Sequence, residues 1–474
     1  TTNSGSNAAS YCPGGVASST DIASADDCDR AVIGGCGHGS HVAGIAAGFN
    51  SSLSSGEPPH GVARDARIIA INVFSRFTTG CSGTATCVRA FVSDQILGLN
   101  RVNALRTSMN IAAVNMSLGG GAFSAACDST ESRTAIINTL RANNVATVIS
   151  AGNDGLNTQV GAPACISGAI TVASSTKADA RSSFSNWGTL VDVVAPGSSI
   201  NSSTTSGASN TTYAFFNGTS MAAPHVAGAW AAIRSRLPNA TVTQIENALE
   251  ATGVSITSSS VTRPRIRVAH ALANLGITFP PPANDNFASR IAITPSTLNG
   301  GTRTVTGISE GATKQAGEPD HAGRTTATAS VWWSFRPTNS GTVTITTTGS
   351  SFDTVLAVYT GTAVNALTAV ASNDDYAGIS PRSRVDFAAS AGVQYQIAVA
   401  GFGGSSGNVT LNVTGGGGIA ANDNFASRIA ITPPSTTTGA VTVTGSNGGA
   451  TMETGEPVHA GRPSATTSVW WRYT

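Results

Sequence analysis

The chain has 474 residues, only 11% of them charged, and a formal net charge of +1. So sparse and balanced a charge excludes nucleic acid or an anionic membrane as the main partner. The length predicts two or three domains, and no apolar run reaches the length of a bilayer span.

The chain opens in the polar run Thr1-Thr-Asn-Ser-Gly-Ser. It carries no signal peptide there and reads like the middle of a loop. Residues 1–36 are loop-like. The seven cysteines are Cys12, Cys28, Cys36, Cys81, Cys87, Cys127 and Cys165. None has CxxC spacing, so a zinc site is not expected. Cys81 and Cys87 can close a short loop, and Cys127 and Cys165 can join two later ones. Three remain within the first 36 residues, so either one thiol is free or its partner lies upstream. Disulfides point to an oxidising, extracellular compartment.

Cys36-Gly-His-Gly-Ser-His-Val-Ala-Gly-Ile-Ala-Ala-Gly48 places His38 at the start of a small-residue helix. Gly61–Phe74 reads as a turn followed by a continuous apolar strand. Residues 89–107 have apolar positions at helical spacing, through Phe91, Ile96, Leu97, Val102 and Leu105. Ile111–Met116 is a buried strand ending in Ser117-Leu-Gly-Gly120. A helix is expected over 130–143. The strand Val145–Ser150 ends in Ala151-Gly-Asn153, and further strands are expected at 169–174 and 191–195. Gly218-Thr-Ser-Met-Ala-Ala-Pro-His-Val-Ala-Gly228 is a tight turn entering a helix of small residues, with Ser220 at its start and Pro224 in the tolerated first turn. A last helix spans about 243–252, with Thr243 and Glu246 spaced as a capping box and Gly253 as its stop. Alternating strands and helices predict an α/β domain with a mostly parallel sheet, whose active site forms at the C-terminal ends of the strands.

Beyond Phe279-Pro-Pro-Pro282, a stiff linker, the pattern changes to alternating strand-like runs separated by Gly, Ser and Asn turns. These predict an all-β sandwich. The sequence then repeats: Ala283–Pro295 returns as Ala421–Pro433, an offset of 138 residues (421 − 283), and Val331-Trp-Trp333 returns as Val469-Trp-Trp471. Trp332 and Trp333 must face opposite sides of their strand, one as core and one as an exposed contact. The expected organisation is 1–278, the α/β domain; 279–286, a Pro-rich linker; 287–414, the β-sandwich; 415–420, a Gly linker; and 421–474, a partial second sandwich.

A serine at a helix N-terminus can attack a carbonyl while a backbone N–H receives the developing negative oxygen. The bland reading makes Ser220 a cap on a core helix. Three segments weigh against it: Gly37-His-Gly-Ser-His-Val-Ala-Gly44, Ser117–Gly120 with Ala151–Asn153, and Gly218–His225. They resemble the signature blocks of the subtilisin-like serine proteases (subtilases, peptidase S8), over about residues 30–275. The resemblance implies a subtilisin-like α/β fold, with Ser220 as nucleophile and His38 as general base. It implies that Asn153 and the Ser220 N–H form an oxyanion hole. Ser117, Leu118 and Gly119 would pair with substrate as an added strand. Ala151, Gly152 and Gly161 would form a roomy, uncharged specificity pocket, with no strict preference for Arg or Lys. A lipase-type hydrolase fits poorly, because its elbow is G-x-S-x-G and its histidine follows the serine. His41 and His225 are expected to be structural, and Asp192 resembles a structural position of the family.

The family's aspartate comes first, at the end of an apolar strand with an Asp-Ser/Thr-Gly signature. No such segment occurs here, and Asp21, Asp26, Asp27 and Asp29 lie in a polar loop. The expectation is that the aspartate strand lies upstream of Thr1, so that this chain alone is impaired. The alternative is a non-catalytic secreted binding protein built on a degenerate protease domain. The resemblance further implies secretion, an upstream propeptide, a monomer, protein or peptide substrates, no organic cofactor and structural calcium at unmapped positions. The repeats resemble bacterial pre-peptidase C-terminal domains, through Phe352–Tyr359 and Ser372–Asp375. A spacer role is expected for them, with binding to insoluble protein as the alternative.

Overall fold

The parallel sheet of the first unit is built from runs of small and β-branched residues. The computed structural model describes residues 7–10, 12–21, 35–49, 58, 60–81, 85–206, 209–294, 301–338, 340–379, 382–415, 425–431, 456–457 and 468–473. They divide into two units, Thr1–Ile277 and Thr278–Thr474. Among the described residues no helix is long and apolar enough to cross a membrane.

The first unit begins with strand β1 (Ala8–Ser10), helix α1 (His38–Ala47), β2 (Phe74–Phe77) and β3 (Cys87–Ala90). Next come α2 (Val92–Leu105), β4 (Ala113–Met116), β5 (Gly120–Phe123), α3 (Thr134–Ala142), β6 (Ala146–Ser150) and β7 (Val160–Ala162). Strands β8 (Ile170–Ser175) and β9 (Val193–Pro196) lead to the hairpin β10 (Ile200–Ser206) and β11 (Ser209–Phe216). Helices α4 (Thr219–Arg236) and α5 (Val242–Thr252), strands β12 (Val254–Ser258) and β13 (Val261–Arg265), and α6 (Val268–Asn274) complete it.

Among the described residues the main sheet runs β12-β13-β9-β8-β6-β4, parallel from β13 to β4. Every residue of β6 and β8 is buried, as expected of a parallel strand covered on both faces. Helix α3 turns Ile136, Ile137 and Leu140 into the core beneath them. Helix α4 lies along β4, β6, β8 and β9. Its Ala222, Ala223 and Ala229 are fully buried, and such small side chains let the helix axis approach the sheet closely. Disulfides join Cys81 to Cys87 and Cys127 to Cys165. Cys36 is also disulfide-bonded, and Cys12 is buried.

Two local expectations are corrected. The apolar run before Phe74 is not a sheet strand: residues 66–73 lie outside any ladder, and Ile68 and Ile69 are 51% and 45% exposed. An apolar pattern supplies side chains for a strand, but a strand exists only where a neighbour's backbone takes its N–H and C=O groups. The capping box of α5 is Thr241 with Gln244, two residues earlier than expected. The hydroxyl of Thr241 accepts from the Gln244 N–H, while Glu246 pairs with Arg141 of α3.

The second unit contains β14 (Ile291–Ala292), β15 (Thr302–Ile308), β16 (Ser330–Phe335), β17 (Gly341–Thr346) and β18 (Thr354–Thr360). They are followed by β19 (Thr368–Asn373), β20 (Arg384–Ala389), β21 (Tyr395–Gly401) and β22 (Asn408–Gly415). Two sheets result, β14-β16-β21-β18-β19 and β15-β22-β17-β20. One apolar cluster draws on both, with Trp333, Leu356 and Ile397 from the first and Ile345, Phe387 and Leu411 from the second. Trp332 does point to the opposite side from Trp333, but it is not exposed. Both are fully buried, Trp332 against Phe287, Tyr359 and Ala398. Beside it, buried His321 bonds Glu318 and Tyr359 at 2.8 Å each. Burial opposes ionisation of Glu318, but bonds from His321, Ser330 and the Gln315 backbone hold its carboxyl below the usual range.

The repeat keeps its register. Strand β14 pairs parallel with β16 at Ile291↔Trp333, and β23 (Ile429–Ile431) pairs with β24 (Trp471–Tyr473) at Ile429↔Trp471. Most of the expected second copy lies outside the described residues.

Candidate active site

Strands β4 and β6 are parallel neighbours, and each ends on a loop that leaves the sheet at the same edge. The first loop is Ser117–Gly119 and the second is Ala151–Asn153. The N-terminus of α4 arrives between them. Ser220 is the second residue of α4, after Gly218 as N-cap. Its Oγ lies 3.4 Å from the carbonyl oxygen of Ser117.

Pro224 lies inside α4 rather than in its first turn. Having no N–H, it leaves the carbonyl of Ser220, four residues back, without its helical donor. The hydroxyl of Ser117 donates to that carbonyl at 2.7 Å. This bond ties the loop after β4 to the nucleophile's own backbone, a link with no local signal in the sequence.

Asn153 is exposed, and its amide has a defined orientation. Its Oδ1 accepts from the Thr219 N–H at 2.8 Å and from the Thr219 hydroxyl at 2.9 Å. The backbone N–H can only donate, so the oxygen must face it and Nδ2 is the end left to donate. The Thr219 hydroxyl in turn accepts from the Gly152 N–H at 3.2 Å. The loop is held from below by fully buried Asn186, whose Oδ1 accepts from the N–H groups of Asp154 and Leu156 and whose Nδ2 donates to the Ala151 carbonyl. Gly152 has φ +110°, and a Cβ there would collide with the Asn186 amide. Thr219 and Asn186 escaped the sequence reading. Thr219 stands inside the Gly-Thr-Ser motif and could have been singled out; Asn186 has no local signal.

Leu118, Gly119, Gly152, Asn153, Gly161 and Ser220 line a common cavity of about 550 Å³. Ala151 is placed differently: its side chain is fully buried in the core, and only its carbonyl serves the site, accepting from the Gly161 N–H at 2.8 Å. Asp154, which the sequence reading did not assign to the pocket, is also in its lining. Ser117 is on the rim of a second cavity.

His38 is the first residue of α1. That helix packs on α4, with Val42 and Ile45 against Met221. His38 borders the second cavity, of about 2110 Å³, which is lined by residues 67–73 and by β4. Val73, Leu99, Val102, Val114 and Met116 give it apolar walls. Strand β4 is the last strand of the described sheet on that side.

His41 is fully buried, with Nε2 2.9 Å from the Ala214 carbonyl and its ring stacked on Phe216. His225 has Nδ1 2.8 Å from the Met221 carbonyl, and burial keeps its pKa below the usual imidazole range. Asp192 does not line the pocket. Its carboxyl accepts from the Thr171 N–H, and burial pushes its pKa up to about 7, with Glu246 and Glu250 adding to the rise. The carboxylates of Asp192, Glu246 and Glu250 lie within 4.8 Å of one another. They fit calcium poorly, since that ion takes six to eight oxygens while Glu246 is engaged by Arg141 and Asp192 by Thr171.

Comparison with known proteins follows the same residues. Residues 15–278 match the model of the Subtilase family. The chain is 38% identical over 228 residues to an extracellular serine proteinase of Thermus sp. (strain Rt41A), covering 48% of this chain and 46% of that protein. It is 37% identical over 209 residues to an extracellular protease of Xanthomonas campestris pv. campestris, covering 43% and 33%. Among solved structures it resembles the proteases from Pseudoalteromonas arctica PAMC 21717 at 33% identity, over 50% of this chain and 70% of that one, with a TM-score of 0.41. The chain thus spans half or less of the length of these curated relatives. With the family model matched over more than half of its residues, the chain belongs to the subtilase family.

Proposed function

We propose that this chain is part of a secreted serine endopeptidase that cleaves peptide bonds through an acyl-enzyme on Ser220. The observation that carries the reading is the shared cavity of Ser220 and Asn153, in which the Asn153 amide is turned by Thr219 so that Nδ2 remains to donate. The extracellular placement follows the names of the relatives, and the disulfides agree with it.

In this mechanism substrate lies along Ser117–Gly119 as an added strand, with its side chain in the pocket beside Gly152 and Gly161. Ser220 Oγ attacks the scissile carbonyl as His38 removes its proton. The carbonyl oxygen, now negative, receives the Asn153 Nδ2–H and the Ser220 N–H. The helix N-terminus adds a favourable field at that oxygen. His38 then gives its proton to the leaving amine, and water attacks the acyl-enzyme by the reverse steps. The Asp154 carboxylate on the pocket lining extends acceptance to basic side chains.

The base needs an orienting carboxylate. We place it on an aspartate-bearing strand, expected upstream of Thr1, that occupies the cavity lined by residues 67–73 and β4. That cavity has apolar walls, a strand edge left open among the described residues, and His38 on its border. In subtilisin, loss of the aspartate alone costs about 3 × 10⁴ in kcat, so the chain without this strand should be slow but not inert.

The test is hydrolysis of a denatured protein by the chain extended to include the upstream strand, against the chain alone and against the extended Ser220→Ala variant. The reading expects strong hydrolysis from the first alone. Hydrolysis that survives Ser220→Ala would refute it.

A further inference from the structure

The hairpin β10–β11 carries three successive hydroxyls, Ser202, Ser203 and Thr204, and all three are turned to α1. The Ser202 hydroxyl donates to the His41 carbonyl at 2.8 Å, Ser203 to the Ser40 carbonyl at 3.1 Å, and Thr204 to the Gly37 carbonyl at 3.4 Å. These carbonyls belong to the N-cap and first turn of the helix that begins with His38. The Gly37 carbonyl already accepts the His41 N–H inside the helix, so the hairpin occupies its second lone pair.

The helix answers through one side chain. His41 reaches β11, where its Nε2 lies 2.9 Å from the Ala214 carbonyl, so that this nitrogen carries the proton. Its ring stacks on Phe216 with centroids 4.2 Å apart and planes 10° from parallel. Four residues beyond Phe216 the chain reaches Ser220. One hairpin therefore grips the turn that carries the histidine and leads directly into the turn that carries the serine.

We propose that this hairpin fixes the distance between His38 and Ser220, with Ser202, Ser203 and His41 as positioning residues. The inference rests on the reading of His38 and Ser220 as base and nucleophile. Burial of the hairpin could be achieved with apolar side chains alone. Hydroxyls bonded to the carbonyls of Gly37, Ser40 and His41 instead fix the register of α1 along β10 and its rotation about its own axis. Gly44 shows how little room the register leaves: a Cβ there would collide with the hydroxyls of Ser202 and Ser203 and lie 3.3 Å from the Ser203 nitrogen.

The test uses the full chain and a small fluorophosphonate, which reports serine activation without filling the substrate groove. Ser202→Ala, Gly44→Ala and the double variant are compared with wild type for the maximal labelling rate, the half-saturating probe concentration and the thermal midpoint. Displacing a base by about 1 Å can cost on the order of 100-fold. Ser202→Ala should lose about 10-fold in maximal rate at unchanged half-saturation, and Gly44→Ala more. The double variant should recover part of the Gly44→Ala loss, because removing the Ser202 hydroxyl relieves one of the two hydroxyl collisions of the new methyl group. That recovery distinguishes a shifted register from general destabilisation, which would deepen in the double variant. Maximal rates equal to wild type in both single variants, or losses that only add in the double, would overturn the proposal. Absence of labelling in wild type would overturn the reading beneath it as well.

Discussion

Ser220 and Asn153 stand at the ends of largely buried elements. All of β6 is buried, the α4 residues around Ser220 pack against four strands, and Thr219 and Asn186 lock the loop after β6. His38 is held differently. Its helix rests on α4 and a two-stranded hairpin, and its other side borders a cavity of about 2110 Å³. One half of the proposed centre is therefore pre-formed by the core, and the other depends on contacts from outside the main sheet. The nucleophile and its oxyanion donor should tolerate loss of a distant element, and the base should not.

The largest effect expected is from Ser220→Ala, which should lower kcat by about 10⁶ in the strand-completed enzyme. Next comes Asn153→Ala, with a loss of roughly 10²–10³ in kcat and little change in KM, because its bond strengthens only as the oxyanion forms. Both losses should be measured in the completed enzyme, where turnover is fast enough to follow. Thr219→Val separates support from contact. It removes the hydroxyl that bonds Asn153 and Gly152 but keeps the backbone N–H that also holds Asn153. A loss of about 10-fold in kcat is expected, and an unchanged kcat would show that the backbone bond alone orients the amide.

The smallest effect falls on stability. Asp192 has its pKa pushed up to about 7 in the folded chain, chiefly by burial. A raised carboxyl pKa means that the folded state holds its proton while the unfolded state has released it. Stability from this group is therefore full below about pH 4 and falls as pH rises toward 7. Asp192→Asn keeps an acceptor for the Thr171 N–H and should flatten the fall of melting temperature between pH 4 and 7. An identical pH dependence in the variant would remove Asp192 as its source.

Those contrasts also mark what the sequence could reveal. The apolar runs before Ser117 and Ala151 announce strands, and the small residues around Ser220 announce a buried helix, because those patterns follow directly from burial. The run at residues 67–73 has the same pattern and no ladder, since strand pairing depends on a neighbour that composition cannot display. Trp332 and Trp333 were legible as facing apart, but the second buried cluster that covers Trp332 is assembled from Phe287, Tyr359 and Ala398, distant in sequence. The supporting roles of Ser117, Asn186 and Ser202 are illegible for the same reason: each acts on the backbone of a segment 30 to 161 residues away.

The central claim is that Ser220 is a nucleophile activated by His38. Mass-spectrometric localisation of a fluorophosphonate adduct on the strand-completed enzyme and its His38→Ala variant tests it most directly. The account predicts an adduct on Ser220 that forms at least 100-fold more slowly without His38. An adduct at another residue, or one on Ser220 that forms equally fast in both chains, would contradict it.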